Sequence, residues 1–586
     1  MRKIICNPVN MNAANIADTS GREAGFGFGR RMAVPHFGFG DPAVVRFKGR
    51  YYVFGSMPGF WWSDDLYTWN PGPAGDPGFM PGAAGDGCVI GDYLVHSASS
   101  RDHSWFTRTK DPMTEKFEKC SDPGFGFWDP ALFRDDNGRV YLYWGCSNVT
   151  PIWGVEMDPE TLMPLGERTE LIKMDDEHHG FERNGWNNDR NVGFLRVGET
   201  DAPGLDYPKP WIEGPYMTKH DGKYYLQYAA PATELQVYCD GYYVSDKPLG
   251  PYVFAENSPF STVRGGFFQG AGHGSTFKDE YGNYWHASSM IGCAPFIHRK
   301  MGLFPVGFDK DGVMYCDQKY ADYPHVIPEE KADPDSTFTG WMLLSYNKPA
   351  KASSAIEGHG PEFLTNEDSR SCYVASVRRP GEWVVLDLES VDDVRAVQLN
   401  FCDWEREELL GIPFHHFSML PENERYIRHR WLLEGSTDGE NWEILCDKRE
   451  AMTNMAHDLL VFEEGRRVRY LRLTSVEMPY FGSFAMVGLR VFGYRDGDAP
   501  AKAGNVLIDR DKEDGCTISI RWDAAEGADG YNVLWGIAPD KLYHSTLVYG
   551  RNDLLMHCLN DGVPYSIRVD SFNGSGITEG EILQAQ

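Results

Sequence analysis

Three acids stand at matching places in a repeated segment. Asp41 and Asp129 each precede proline, in GDPAVV and WDPALF, and Glu213 precedes Gly-Pro in IEGPYM. The flanks repeat too: HFGFGDP at 36–42 and GFGFWDP at 124–130. Glycines there allow close backbone approach. Three carboxyls gathered in one aromatic-walled pocket push their pKa values apart, so one stays ionised as a base while another is held protonated as an acid. Cleavage of a glycosidic bond needs that pairing. A single Asp-Pro also reads as a plain turn before a strand. Three in register, with a change of acid type to Glu, favour a site.

The elements that must bring them together are hairpins. Residues 41–56, 129–145, 214–228 and 274–287 each read as strand, tight turn, strand, with turns at Lys48-Gly49, Asn137-Gly138 and Asp221-Gly222. A weaker copy lies at 86–97. The spacing gives a period of roughly 44 residues and five hairpins, the pattern of a β-propeller blade. First residues of innermost strands then meet at one channel mouth, although the acids are 88 and 84 residues apart. Residues 163–210 read as an irregular insertion, and His178-His179 within it as part of a solvated charged loop rather than a metal site. A Pro, Asp, Lys and Glu-rich linker at 323–337 ends the propeller. Residues 338–495 alternate at period two and read as a jelly-roll sandwich. The last 85 or so residues read as a small seven-stranded sandwich. The expected fold is all-β: a five-bladed β-propeller (1–330), a jelly-roll β-sandwich (331–497) and a small β-sandwich (498–586).

Residues 30–320 resemble the family 43 glycoside hydrolases. The motifs are GDPAVV, WDPALFRDDNGRVYLYWG and IEGPYMTKHDGKYYLQY. The resemblance implies a five-bladed propeller acting with inversion, with Asp41 as base, Asp129 as pKa modulator and Glu213 as general acid. It implies release of a terminal α-L-arabinofuranose or β-D-xylose, or of galactose or galactofuranose, from plant-type glycans. It places a calcium or sodium ion in the channel near His273, in GAGHGS, with no cofactor required for the chemistry. Arg299 falls where the family sets a sugar-contacting arginine, and Asp86 where it often has an acid. Phe60, Trp62 and Trp128 are candidates to stack on sugar, with core packing as the rival reading. GEWVVLDL, STDGENWEIL and RYLRL resemble discoidin or coagulation factor type C domains, and the last unit resembles fibronectin type III, with Trp522 in its core and Tyr565 near the corner position. A non-catalytic carbohydrate-binding propeller is the alternative.

Composition bounds the partners. Acidic residues number 85 against 56 basic, a net charge of −29, which disfavours nucleic acid. No run of 18 apolar residues suggests a membrane span. The apolar stretch after Arg2-Lys3 is too short for a signal-peptide core, so the expected location is cytoplasmic. The twelve cysteines are scattered without a CxxC pair and read as mostly reduced, buried thiols. The expected partner is an oligosaccharide or polysaccharide.

Overall fold

A computed structural model of the chain describes residues 2–12, 39–56, 59–73, 77–80, 82–189, 210–294, 298–402, 404, 428–479 and 482–585. His36 and residues 190–209 of the insertion lie outside them. Among the described residues, the helical elements are short 3-10 turns, and no helix is long and apolar enough to cross a membrane.

Five antiparallel sheets follow one another along the chain. Their innermost strands are Ala43–Phe47, Asp86–Ile90, Ala131–Arg134, Ile212–His220 and Gln269–Lys278. Each lies beside the next, and the fifth lies beside the first, so the ring closes into a five-bladed propeller. The tight turns follow their sequence. Lys48 (φ 50°) and Gly49 (φ 84°), like Asp221 (φ 46°) and Gly222 (φ 77°), are both left-handed, as a two-residue type I′ hairpin requires. Strand side chains alternate, so each blade buries rows of aromatics against its neighbour: Tyr51, Val53 and Trp61 pack with Phe277 and Trp285, which belong to blade five.

Two segments differ from expectation. The segment 323–337 is part of the closure and not a loose linker. Pro324–Val326 pairs antiparallel with Ile4–Cys6, and Tyr323 and His325 are buried. The insertion begins later than position 163, because Thr169–Ile172 is the outer strand of blade three. His178 is exposed and bonded to Asp175 at 2.9 Å. His179, by contrast, is buried, stacks on Phe254 at 3.7 Å and meets Glu182 at 2.9 Å. This pair is half surface and half core because the segment is pressed against the C-terminal unit, where Gly180 N–H donates to Leu559 O.

Beyond the propeller, the strands Trp383–Phe401 and His457–Glu477 pair at the centre of an eight-stranded sheet, over a core that includes Leu386, Val397, Trp431, Leu471 and Val491. The last unit packs a three-stranded sheet (Gly504–Arg510, Ile518–Asp523, Asp553–Met556) on a second sheet built around Gly530–Gly536 and Tyr565–Asn573. Trp522 and Trp535 fill the space between them, and the Tyr565 hydroxyl accepts from Asn560 N–H at 3.1 Å. That core runs on without a break into Tyr143, Phe181 and Leu226 of the propeller. The propeller also lends a strand: Arg264–Gly265 pairs in parallel with Thr546 and Leu547. A buried Arg490 joins the central unit to the propeller through Glu367 (2.9 Å) and Asp322 (3.4 Å).

Candidate active site

The channel mouth is built from a backbone feature repeated once per blade. Asp41 (φ 58°), Ala84 (45°), Asp129 (50°), Gly214 (56°) and His273 (49°) are all left-handed, just before an innermost strand or at a bulge within it. Non-glycine residues adopt this conformation at a cost and keep it where surroundings enforce it. The enforcement is visible. Asp41 N–H donates to Ser289 Oγ (2.8 Å), Ala84 N–H to Ser56 Oγ (2.9 Å), Asp129 N–H to Ser99 Oγ (2.9 Å) and His273 N–H to Asp240 Oδ1 (2.7 Å). Each acceptor comes from the preceding blade. Asp41, Asp129 and His273 therefore share one ring, with the small Ala84 and Gly214 leaving it open.

Glu213 is one residue out of this register. The residue level with Asp41 and Asp129 is Gly214, so Glu213 stands one place before the position of the Asp-Pro aspartates. Glu213 instead pairs with Cys146 and Ala229 across the bulge and reaches the same space from a different height. Gly214 is required there. Its φ is positive, and a side chain would strike the His273 ring.

Asp41 is buried and surrounded by donors. Arg299 Nη1 donates to Oδ1, the Ser56 hydroxyl donates to Oδ2, and His273 Nδ1 lies 3.2 Å from Oδ1. Burial would raise its pKa, but the Arg299 and His273 charges and the Ser56 hydrogen bond outweigh burial and hold the carboxyl below its usual range. Asp129 is buried too, with the Ser99 hydroxyl donating to Oδ1 at 3.1 Å. Burial pushes it up to about 8; the His273 charge opposes this, and the Glu213 and Asp41 charges reinforce it. Glu213 receives three donors: Trp211 Nε1 to Oε2 (2.9 Å), Cys146 Sγ to Oε2 (3.1 Å) and the Tyr238 hydroxyl to Oε1. Ligand atoms of Asp129, Cys146 and Glu213 lie within 4.8 Å of one another, in a group that does not include Asp41. Two acids thus sit together and one stands apart, with cations beside it.

The other expected residues divide. Arg299 is at the site, but its guanidinium is spent on Asp41 and lies against Gly40, where a side chain would overlap it. Trp128 stays half-buried immediately before Asp129, with the Arg101 guanidinium 4.5 Å from its ring. Phe60 does not face the channel; it is buried among Tyr52 (5.9 Å) and Phe54 (5.7 Å) in the core between blades one and two. Trp62 lies on the third strand of blade one, away from the innermost ring, under the Arg50 guanidinium at 4.1 Å. Asp86 is fully buried, and its Oδ2 accepts from Leu132 N–H at 2.8 Å, tying blade two to blade three. Burial pushes Asp86 up to about 7, and its Oδ1 has no hydrogen-bond partner among the described residues.

An ion near His273 finds a poor set of direct ligands. His273 is absent from the described groups close enough to share a metal ion. Its Nδ1 faces Asp41, and Asp240 is engaged by two backbone N–H groups and by His286 at 2.8 Å. Burial lowers the His273 pKa, but Asp41, Asp129 and Glu213 together raise it above its ordinary value, which favours the protonated ring facing the acids. Ser56, Ser99, Trp211, Tyr238 and Cys146 were not singled out from sequence. A signal existed for two: Ser56 and Cys146 end matching FGS (54–56) and WGC (144–146) triplets.

Residues 37–314 match the family model "Glycosyl hydrolases family 43". A β-xylosidase of Xylanibacter ruminicola is 30% identical over 185 residues, covering 28% of this chain and 54% of that protein. A xylosidase/arabinosidase of Bacteroides ovatus is 25% identical over 138 residues, covering 22% of this chain and 38% of that protein. The chain spans about half, or less, of the length of the curated relatives it matches. A solved thermostable family-43 glycoside hydrolase aligns over 56% of this chain and 100% of its own, at 21% identity and a TM-score of 0.41. The motifs, the channel-mouth acids and the match to the family 43 glycoside hydrolase model fall on the same stretch, residues 37–314.

Proposed function

We propose that the protein is an inverting exo-glycoside hydrolase that releases a terminal β-D-xylose or α-L-arabinofuranose from oligosaccharides or polysaccharides. The observation that carries this reading is the division of the three acids: Asp41 beside Arg299 and His273, and Asp129 and Glu213 grouped within 4.8 Å of one another, away from those cations. Asp41 takes a proton from water as that water attacks the anomeric carbon. Glu213 gives its proton to the leaving oxygen. The charge then left on Glu213 is met by the Trp211, Tyr238 and Cys146 donors already in place, which favours the transition state over the ground state. Asp129 is the second carboxyl of the pair, and its burial beside Glu213 disfavours a second negative charge there. Every step as written uses side chains of this chain.

The name xylosidase or xylosidase/arabinosidase on the relatives supports this choice of sugars. We read residues 331–497 as a discoidin-like sandwich and 498–586 as a fibronectin type III-like sandwich, the latter supported by the Tyr565 hydroxyl bonding back to Asn560. The test is a panel of aryl glycosides with proton NMR of the first-formed sugar. Turnover of a xyloside or arabinofuranoside with inverted product is expected. Retained configuration sinks the mechanism. Binding without turnover across the panel leaves a carbohydrate-binding propeller instead.

A further inference from the structure

Cys146 puts sulfur where a matching blade has oxygen. In blade one, Phe54-Gly55-Ser56 ends the second strand, and the Ser56 hydroxyl bonds Asp41 and accepts from Ala84 N–H. In blade three, Trp144-Gly145-Cys146 ends the second strand, and the thiol points at Glu213 Oε2 from 3.1 Å. Asp129 completes a group whose ligand atoms all lie within 4.8 Å of one another, two of the three residues being buried. One sulfur and two carboxylate oxygens form a donor set for a borderline-soft divalent ion. Zinc takes sulfur at about 2.3 Å and oxygen at about 2.0–2.2 Å in a tetrahedron, which sets ligand atoms roughly 3.5 Å apart. The Cys146–Glu213 contact, at 3.1 Å, is already near that spacing, and the Asp129 carboxylate lies within 4.8 Å of both. Calcium and magnesium prefer oxygen-only sets and gain nothing from the thiol. Three cations lie near: Arg299 is paired with Asp41, His273 turns Nδ1 to the same carboxylate, and the Arg101 guanidinium lies over the Trp128 ring at 4.5 Å.

We propose that Asp129, Cys146 and Glu213 form a binding site for a zinc-class divalent cation, with a fourth position open to water or a sugar hydroxyl. Metal–sulfur and metal–oxygen bonds form, and the thiol proton and the proton held by Asp129 pass to solvent. Binding itself rests on the donor set alone. Its consequence, reversible inhibition competitive with substrate, rests on the proposed glycosidase function.

Cobalt(II) titrated into the metal-free full-length protein is the direct test, because a cobalt–thiolate bond gives a near-ultraviolet charge-transfer band. The expected result is a band in the wild type that is lost in Cys146→Ser, and a zinc affinity by calorimetry at least about tenfold weaker in that variant. Asp129→Asn should keep the band but weaken the affinity. A band of equal strength in Cys146→Ser, or unchanged zinc affinity in both variants, overturns the site. Circular dichroism checks that each variant is folded, and Cys146→Ala replaces Cys146→Ser if the serine variant is not. Since the titration needs no turnover, inactivity toward every glycoside would defeat the enzymatic reading without touching this one.

Discussion

Asp41 and Asp129 carry the same backbone kink and opposite electrostatics. Arg299, His273 and Ser56 favour the Asp41 anion, so it is the base-competent acid, and Asp41→Asn should lower kcat by about 10²–10⁴ with the fold unchanged by circular dichroism. Asp129 is governed by burial and keeps its proton up to about pH 8. The activity it supports is therefore present below that pH and lost above it: kcat/KM should fall above about pH 8, and Asp129→Asn should move that limb. A profile with the same alkaline limb in the variant would sink the assignment. Linkage gives a second readout. The folded-state pKa of Asp129 lies above its ordinary value of 3.8, so its stabilising contribution is present at low pH and lost as pH rises toward 8. Asp129→Asn removes a carboxylate the folded state resists ionising, so it should raise Tm at pH 8–9 and change it little at pH 4. Scanning calorimetry at the two pH values reads this directly.

At the scale of strands and turns, position depends on small residues under charged ones. Gly40 lies beneath the Arg299 guanidinium, and a methyl group there would push the arginine off Asp41. Gly40→Ala should lower kcat on the order of 10²-fold with a smaller change in KM, since misplacement of the base by about an ångström has that size. An unchanged kcat would show that Arg299 has another route to Asp41. The repeat made the blades legible, because each hairpin carries its own turn chemistry, and it made Asp41 and Asp129 legible, because Asp-Pro travels with the repeat. Glu213 was found by the same route, but one register off, since a bulge adds a residue that local spacing does not reveal. Phe60 and Trp62 misled because an aromatic in a blade serves the core and a sugar platform equally well in sequence. The Cys146–Glu213 contact joins residues 67 apart through strand pairing, which no local pattern encodes.

Across the whole molecule, the three units share buried material rather than touching at surfaces. Arg490 has no exposed surface and carries Glu367 of the central unit together with Asp322 of the propeller, with Phe267 and Phe492 rings each 4.9 Å from its guanidinium. Removing one partner of such a group leaves buried charge without compensation. Arg490→Met should destabilise the chain by about 3–5 kcal/mol in urea unfolding. A loss below about 1 kcal/mol would mean the two acids are neutral when the arginine is gone.

The parallel pairing of Arg264–Gly265 with Thr546 and Leu547 bears on how such a chain can be recombined. An exchanged C-terminal unit must bring side chains that fit the core shared with Tyr143, Phe181 and Leu226, whereas the strand seam is made by main-chain groups, which are indifferent to most side chains. Gly265 is the exception: its φ is +68°, and any side chain would meet the Leu547 carbonyl. Exchange of this unit therefore depends on a matched core and, along the strand seam, on a glycine that belongs to the propeller and not to the cassette being exchanged.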